Sequence, residues 1–163
     1  MKKYIIYCFH LLLPMIGGSI IGGLTANDTK NDYRQFKKPP FSPPGYIFPI
    51  VWPILYILMG VSFVLSIINS GKQRVVTVTH YLQLAFNYMW SLLYFKEKLR
   101  GVALVDSVVL LISVIINAIT MFKAKGLAGL LQIPYILWSV YASYLNTGNW
   151  LLNKDNPEYF KKQ

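Results

Sequence analysis

The chain has 163 residues, of which 55% are hydrophobic and only 13% charged, with a formal net charge of +10. That balance is too apolar for an ordinary soluble domain of this size. In a soluble protein +10 would point to nucleic acid. Here the 16 Lys and Arg lie almost entirely between apolar runs, so they report on membrane topology and no nucleic-acid partner is expected.

Five runs carry few or no charges: Tyr4–Asn27, Pro39–Gly71, Val75–Phe95, Gly101–Phe122 and Gly126–Asn153. Each reaches the roughly 20 residues that span a bilayer as a helix. The expectation is an all-α, polytopic bundle of five transmembrane helices over 4–26, 45–69, 75–95, 101–122 and 127–152. Residues 27–44 form a loop, and the whole of 1–163 is one membrane domain.

The first helix follows Lys2 and Lys3 but exceeds a signal-peptide core and lacks a clear cleavage site, so it is read as retained. Cys8 is the single cysteine and excludes an intramolecular disulfide. Gly18 and Gly22 stand four apart, a spacing that lets a second backbone approach, within the bundle or across a homodimer.

Residues 37–60, KKPPFSPPGYIFPIVWPILYILMG, hold six of the nine prolines. Pro39, Pro40, Pro43 and Pro44 exclude helix and favour a stiff, extended strap. Gly45 turns the chain into the second helix, Pro49 fits its first turns, and Pro53 removes a helical hydrogen bond and should bend it. Phe48, Trp52, Tyr56, Met59 and Phe63 follow helical steps and place an aromatic and thioether ladder on one face. Trp52 lies about 10 Å down the helix from Gly45, deep for an interfacial belt residue.

The third helix puts His80, Gln83, Asn87, Trp90 and Tyr94 on one face. The fourth shows Asp106, Ser113, Asn117 and Thr120, with Asp106 close enough to the preceding loop to reach the interface or pair with Lys98 or Arg100. The fifth presents Tyr135, Trp138, Ala142 and Asn146 behind Pro134. Polar residues recurring at helical spacing mark a bundle interior. Trp52, Asn87, Trp90 and Asp106 lie within about eight residues of the same side of the membrane and Trp138 near mid-membrane, so the aromatic and polar faces converge in one half of the bundle, beneath the proline strap. That arrangement describes a cavity for a large, flat, hydrophobic ligand, with Arg34, Lys37 and Lys38 at its mouth to meet carboxylates. No phosphate loop, paired cysteines or close carboxylates occur, and His10 and His80 lie on different helices, so no metal or required cofactor is expected.

Three segments, KKPPFSPPGYIFPIVWPILYILMG, FNYMWSLLYF and IPYILWSVYASYLN, closely resemble the translocator protein family, also called tryptophan-rich sensory proteins or peripheral-type benzodiazepine receptors. The resemblance spans essentially the whole chain. It implies a five-helix bundle, often homodimeric, that binds porphyrins such as protoporphyrin IX and synthetic aromatic ligands. It also implies a location in a membrane, here a bacterial cell membrane. Carried onto this chain, the pocket tryptophans are Trp52 and Trp138, and further lining falls at Tyr33, Asn87 and Trp90. Phe48, Tyr56 and Ala142 complete the ligand-binding set read from helical spacing. Some relatives are reported to break down porphyrin in light, which would make Trp52 and Trp138 catalytic.

A sterol motif of the Leu/Val–Tyr–Lys/Arg kind is missing after Tyr141 and Tyr144, while Leu92–Lys96 fits that weak pattern, so a sterol partner gains little support. A proton-coupled transporter resting on Asp106, His10 and His80 is the remaining reading, without the paired repeats common in such proteins. Lys and Arg number six on one side and ten on the other, which places residues 27–44 and the carboxy terminus in the cytoplasm.

Overall fold

The computed structural model describes residues 2–71 and 73–162. Lys72, part of the charge count at 72–74, lies outside the described residues. The architecture is all-α, with α1 Lys2–Gln35, α2 Phe48–Asn69, α3 Gln73–Ser91, α4 Arg100–Ala124, a short α5 Gly126–Leu130, and α6 Ile133–Asn153. Single helical turns at Gly45–Ile47 and Pro157–Phe160 precede α2 and close the chain. Three segments, Lys3–Gln35, Gly45–Asn69 and Arg100–Ala124, are long and apolar enough to cross a membrane. Helices α3 and α6 have spanning length, but they carry the polar inner faces and so read as less apolar.

Two boundaries differ from the sequence expectation. The fifth predicted helix, 127–152, is broken at Leu131 and Gln132. Pro134 lies in the first turn of α6, where its missing N–H leaves no helical bond unmade. The first helix does not stop near residue 26 but runs to Gln35, so the 27–44 loop shrinks to a strap of residues 36–44.

The reason is tertiary. Asp28 and Asp32, one turn apart, face the loop between α3 and α4. Asp32 accepts from Lys98 at 3.0 Å and from Arg100 at 2.7 Å, while Asp28 meets Lys96 at 3.6 Å and Lys98 at 3.7 Å. Lys98 has a φ of +55°, a left-handed conformation unusual for lysine. It follows a π-helical turn, Leu92–Lys96, in which Glu97 donates to the Leu92 carbonyl at 2.9 Å. Lys98 and Arg100 are only 2% and 1% exposed. The guanidinium carbon of Arg100 lies 3.9 Å from the ring centre of Tyr159, 4.8 Å from Phe36 and 5.1 Å from Tyr94. Tyr94 and Tyr159 share a hydrogen bond at 3.0 Å. Burial pushes the Tyr159 phenol above its ordinary range, so its hydroxyl stays protonated. The carboxy-terminal turn thus seals the ion cluster.

The apolar core of the half beneath the strap is built from Leu55, Tyr56 and Met59 on α2, Leu84 on α3, Leu110 and Val114 on α4 and Tyr135 on α6. A second cluster, Phe63, Ile67, Val76, Met121 and Ala128, fills the other half. On α4 the buried polar residues after Arg100 are Asp106, Ser107 and Asn117, whereas Ser113 and Thr120 turn their hydroxyls back onto the Val109 and Ile116 carbonyls. Asp106 does not pair with Lys98 or Arg100, because Asp32 engages both. Close helix approach uses glycine where a side chain has no room. A Cβ at Gly18 would fall 2.0 Å from the Tyr56 ring, and one at Gly60 would fall 2.2 Å from the Leu11 carbonyl. Gly18 therefore packs inside the chain, while Gly22 has nothing within 4 Å.

Removing Asp32 leaves buried Arg100 without a carboxylate and Lys98 with only the longer contact to Asp28, which costs about 3–5 kcal/mol for a pair broken from one side. Asp32→Ala is expected to lower the unfolding midpoint in detergent far more than Asp28→Ala, whose carboxylate is partly exposed and worth about 1 kcal/mol or less. Equal midpoints for the two variants would show that the buried cluster does not hold the α1 extension.

Candidate functional site

Beneath the strap lies a cavity of about 780 Å³, walled by α1, α2, the end of α3 and α6. That volume is in the upper part of the range for small-molecule sites. Its aromatic wall is continuous. Trp52 stacks on Tyr56 with ring centres 5.4 Å apart, and meets Trp138 edge-on at 6.4 Å. Phe48 meets Trp138 at 5.9 Å and Tyr33 at 5.9 Å, both edge-on. Step-of-four spacing on α2 explains the ladder. Tyr33 joins it because α1 continues past the membrane-spanning stretch.

The floor is fixed by hydrogen bonds. The Tyr56 hydroxyl donates to the Asn87 side-chain oxygen at 2.8 Å, and the Asn87 amide donates to the Tyr135 hydroxyl at 3.0 Å. A buried phenol without a partner would be costly, and here two are satisfied by one asparagine.

Of the sequence-derived set, Tyr33, Phe48, Trp52, Tyr56, Trp90, Trp138 and Ala142 line the cavity. Asn87 does not line it; it is buried beneath Tyr56 and orients that ring. His10 and His80 belong to the other half of the bundle. His10 is hydrogen-bonded to the Tyr81 hydroxyl, and His80 stacks on Phe63 at 4.2 Å. Asp106 is likewise absent from the lining, and no cluster of metal-binding side chains occurs among the described residues. Apart from Tyr33, sequence reasoning missed the α1 wall: Gly18, Gly22, Thr25 and Thr29 line the cavity in register with Tyr33. Their steps of four, three, four and four were a visible helical signal, obscured by the polar composition after residue 26.

The rim is basic. Lys30, Arg34, Lys37 and Lys38 border the opening against a single carboxylate, Asp32, which is already engaged. Among the described residues, Lys30, Arg34 and Lys37 have no acidic partner. The strap itself is tied to α6. The Lys37 amide donates to the Asn153 side-chain oxygen at 3.0 Å, and the Asn153 amide donates back to the Lys37 carbonyl at 2.9 Å.

An all-helical bundle with three spans long and apolar enough to cross a bilayer, and an aromatic-walled, basic-rimmed cavity under a loop, defines a polytopic membrane protein. The chain belongs to the TspO/MBR family, whose sequence profile matches residues 10–151. It is 34% identical over 130 residues to the tryptophan-rich protein TspO of Archaeoglobus fulgidus, covering 79% of this chain and 84% of that one. It is 34% identical over 125 residues to protein CrtK of Rhodobacter capsulatus, covering 74% and 78%. It is 31% identical over 147 residues to the translocator protein of Bos taurus, covering 88% and 87%. These relatives reach from archaea to mammals. The sequence expectation of family and fold holds.

Asn153→Ala removes both amide bonds to the strap, each worth about 1 kcal/mol. Hydrogen exchange at the Lys37 amide should quicken by roughly tenfold or more, with exchange at the α2 core amides unchanged. Unaltered exchange at Lys37 would mean that the clasp does not hold the strap.

Proposed function

We propose that this protein binds a flat, hydrophobic tetrapyrrole of the protoporphyrin IX type in the α1–α2–α6 cavity, and so senses, sequesters or moves it across the membrane. The observation that carries the reading is the union of the Phe48–Trp52–Tyr56–Trp138 wall with a rim of unpaired cations. Aromatic faces recognise a planar macrocycle by stacking, worth about 0.5–1.5 kcal/mol per ring beyond area burial. Lys30, Arg34 and Lys37 recognise carboxylates at its edge. A ligand that is both planar and anionic fits this wall and rim better than a neutral sterol. The relatives' names, tryptophan-rich and translocator, accord with aromatic recognition and movement. The same side of the bundle, with the strap and carboxy terminus, is assigned to the cytoplasm by its excess of Lys and Arg.

A second reading is light-dependent oxidation of the bound porphyrin. It rests on the edge contact of Trp52 with Trp138 and the stack of Trp52 on Tyr56. Excited porphyrin and oxygen supply the reactivity, and the protein supplies oxidisable rings beside them.

Titration of the protein in liposomes with protoporphyrin IX, read by quenching of tryptophan fluorescence, tests the first reading. Trp52→Phe combined with Trp138→Phe should weaken binding, read by porphyrin absorbance, by roughly tenfold. The dimethyl ester, lacking carboxylates, should bind more weakly than the acid. Unchanged affinity in the double variant would place the ligand elsewhere. Illumination of the complex decides the second reading: bleaching must be faster than in the double variant and in empty liposomes.

A further inference from the structure

The strap poses a problem that the ligand cavity does not explain. Phe41, at its centre, has a φ of +60°, the left-handed region that favours glycine and is strained for a bulky side chain. Its ring is 90% exposed. A strained backbone that displays a large apolar side chain to the outside needs a reason.

The strap's path supplies one. Lys37 is clasped by Asn153, Pro39 packs where a Cβ on Gly148 would fall 2.5 Å away, and the Pro40 and Phe41 carbonyls accept from Tyr144 and Tyr141 at 2.8 and 2.6 Å. The chain therefore runs down α6 from residue 153 to residue 141, a descent of about 18 Å at the helical rise. It turns at the level where the apolar span Gly45–Asn69 begins, as the Phe48–Trp138 contact shows. Tyr46 on that turn and Ile50 in the first turn of α2 are exposed, as are Leu137 and Val140 of α6.

The backbone is adapted to an environment poor in water. Pro39, Pro40, Pro43 and Pro44 have no N–H to satisfy. The carbonyls of Pro39, Pro40, Phe41, Pro43 and Pro44 accept from Ser42, Tyr144, Tyr141, Tyr33 and Ile47 respectively. An aqueous loop has no need of so many internally paired carbonyls. A segment entering lipid does, because unpaired backbone groups are costly there.

We infer that the elbow Phe41–Tyr46 is a bilayer anchor. The Phe41 ring lies in the headgroup–acyl boundary, so the cover of the cavity is held by α6 on one side and by lipid on the other. The prolines then serve two ends: they stiffen the strap, and they delete the donors that lipid could not satisfy. This inference is independent of which ligand the cavity takes.

Nitroxide labelling tests it on the full chain in phosphatidylcholine liposomes, in a Cys8→Ser background that removes the single native thiol. A label at Phe41→Cys should collide with oxygen in preference to a water-soluble nickel chelate. Its collision ratio should match a label at Ile50→Cys and exceed one at Asp155→Cys several-fold. A ratio equal to that of Asp155→Cys overturns the anchor, whether water or a soluble partner covers the ring. If Phe41→Cys does not fold, Tyr46→Cys carries the same expectation and the same refutation.

Discussion

Asp32 is the carboxylate on which the upper half of the molecule depends. It pairs with both Lys98 and Arg100, two cations that are nearly inaccessible to water, and Asp28 supplies the second negative charge at Lys98. Burying charges costs several kcal/mol per ion unless they are paired and bonded. The pairing also dictates geometry. It holds α1 helical for more than two turns beyond its apolar stretch, pins the left-handed Lys98 between α3 and α4, and brings Tyr94, Phe36 and Tyr159 around the guanidinium. Without that extension Tyr33 would not reach Phe48, and the cavity would lack the upper part of its α1 wall.

The cavity thereby combines parts with different rigidity. Below, Asn87 ties Tyr56 to Tyr135 across three helices, and Trp52 stacks on the ring so fixed. Above, the cover is a single layer of chain, held to α6 by the Asn153 clasp and two tyrosine hydroxyls. On the proposed reading, the aromatic wall would meet a ligand through faces that are already positioned, so little conformational freedom would be lost on binding.

Much of this was legible in the residues. The all-α membrane bundle followed from five apolar runs, and the meeting of Trp52 with Trp138 followed from helical spacing on two elements. What could not be read were interactions between distant segments. Lys98 and Arg100 counted as loop charges that report topology, yet both are interior because Asp32, more than sixty residues away, faces them. The end of α1 was placed near residue 26 because Asn27, Asp28 and Thr29 look like loop. Asn87 was assigned to the lining from its position on the inner face of α3, but periodicity does not show that Tyr56 would lie over it. Local pattern specifies a face; only packing specifies which residue on that face meets open space.

The position of the weak and strong parts bears on how a ligand is exchanged. Any route through the floor would have to break the Tyr56–Asn87–Tyr135 chain inside a packed core, exposing buried hydroxyl and amide groups to lipid. A route past the cover breaks two amide bonds at Asn153 and two phenol bonds at the strap carbonyls, all in a single layer at the edge of the bundle and none inside its packed core. The cover is therefore the cheaper barrier. Its basic residues stand on the path, so an anionic ligand meets cations before it meets rings. For the ligand proposed above, charge at the rim and stacking at the wall would then act in sequence, the first favouring encounter and the second retention.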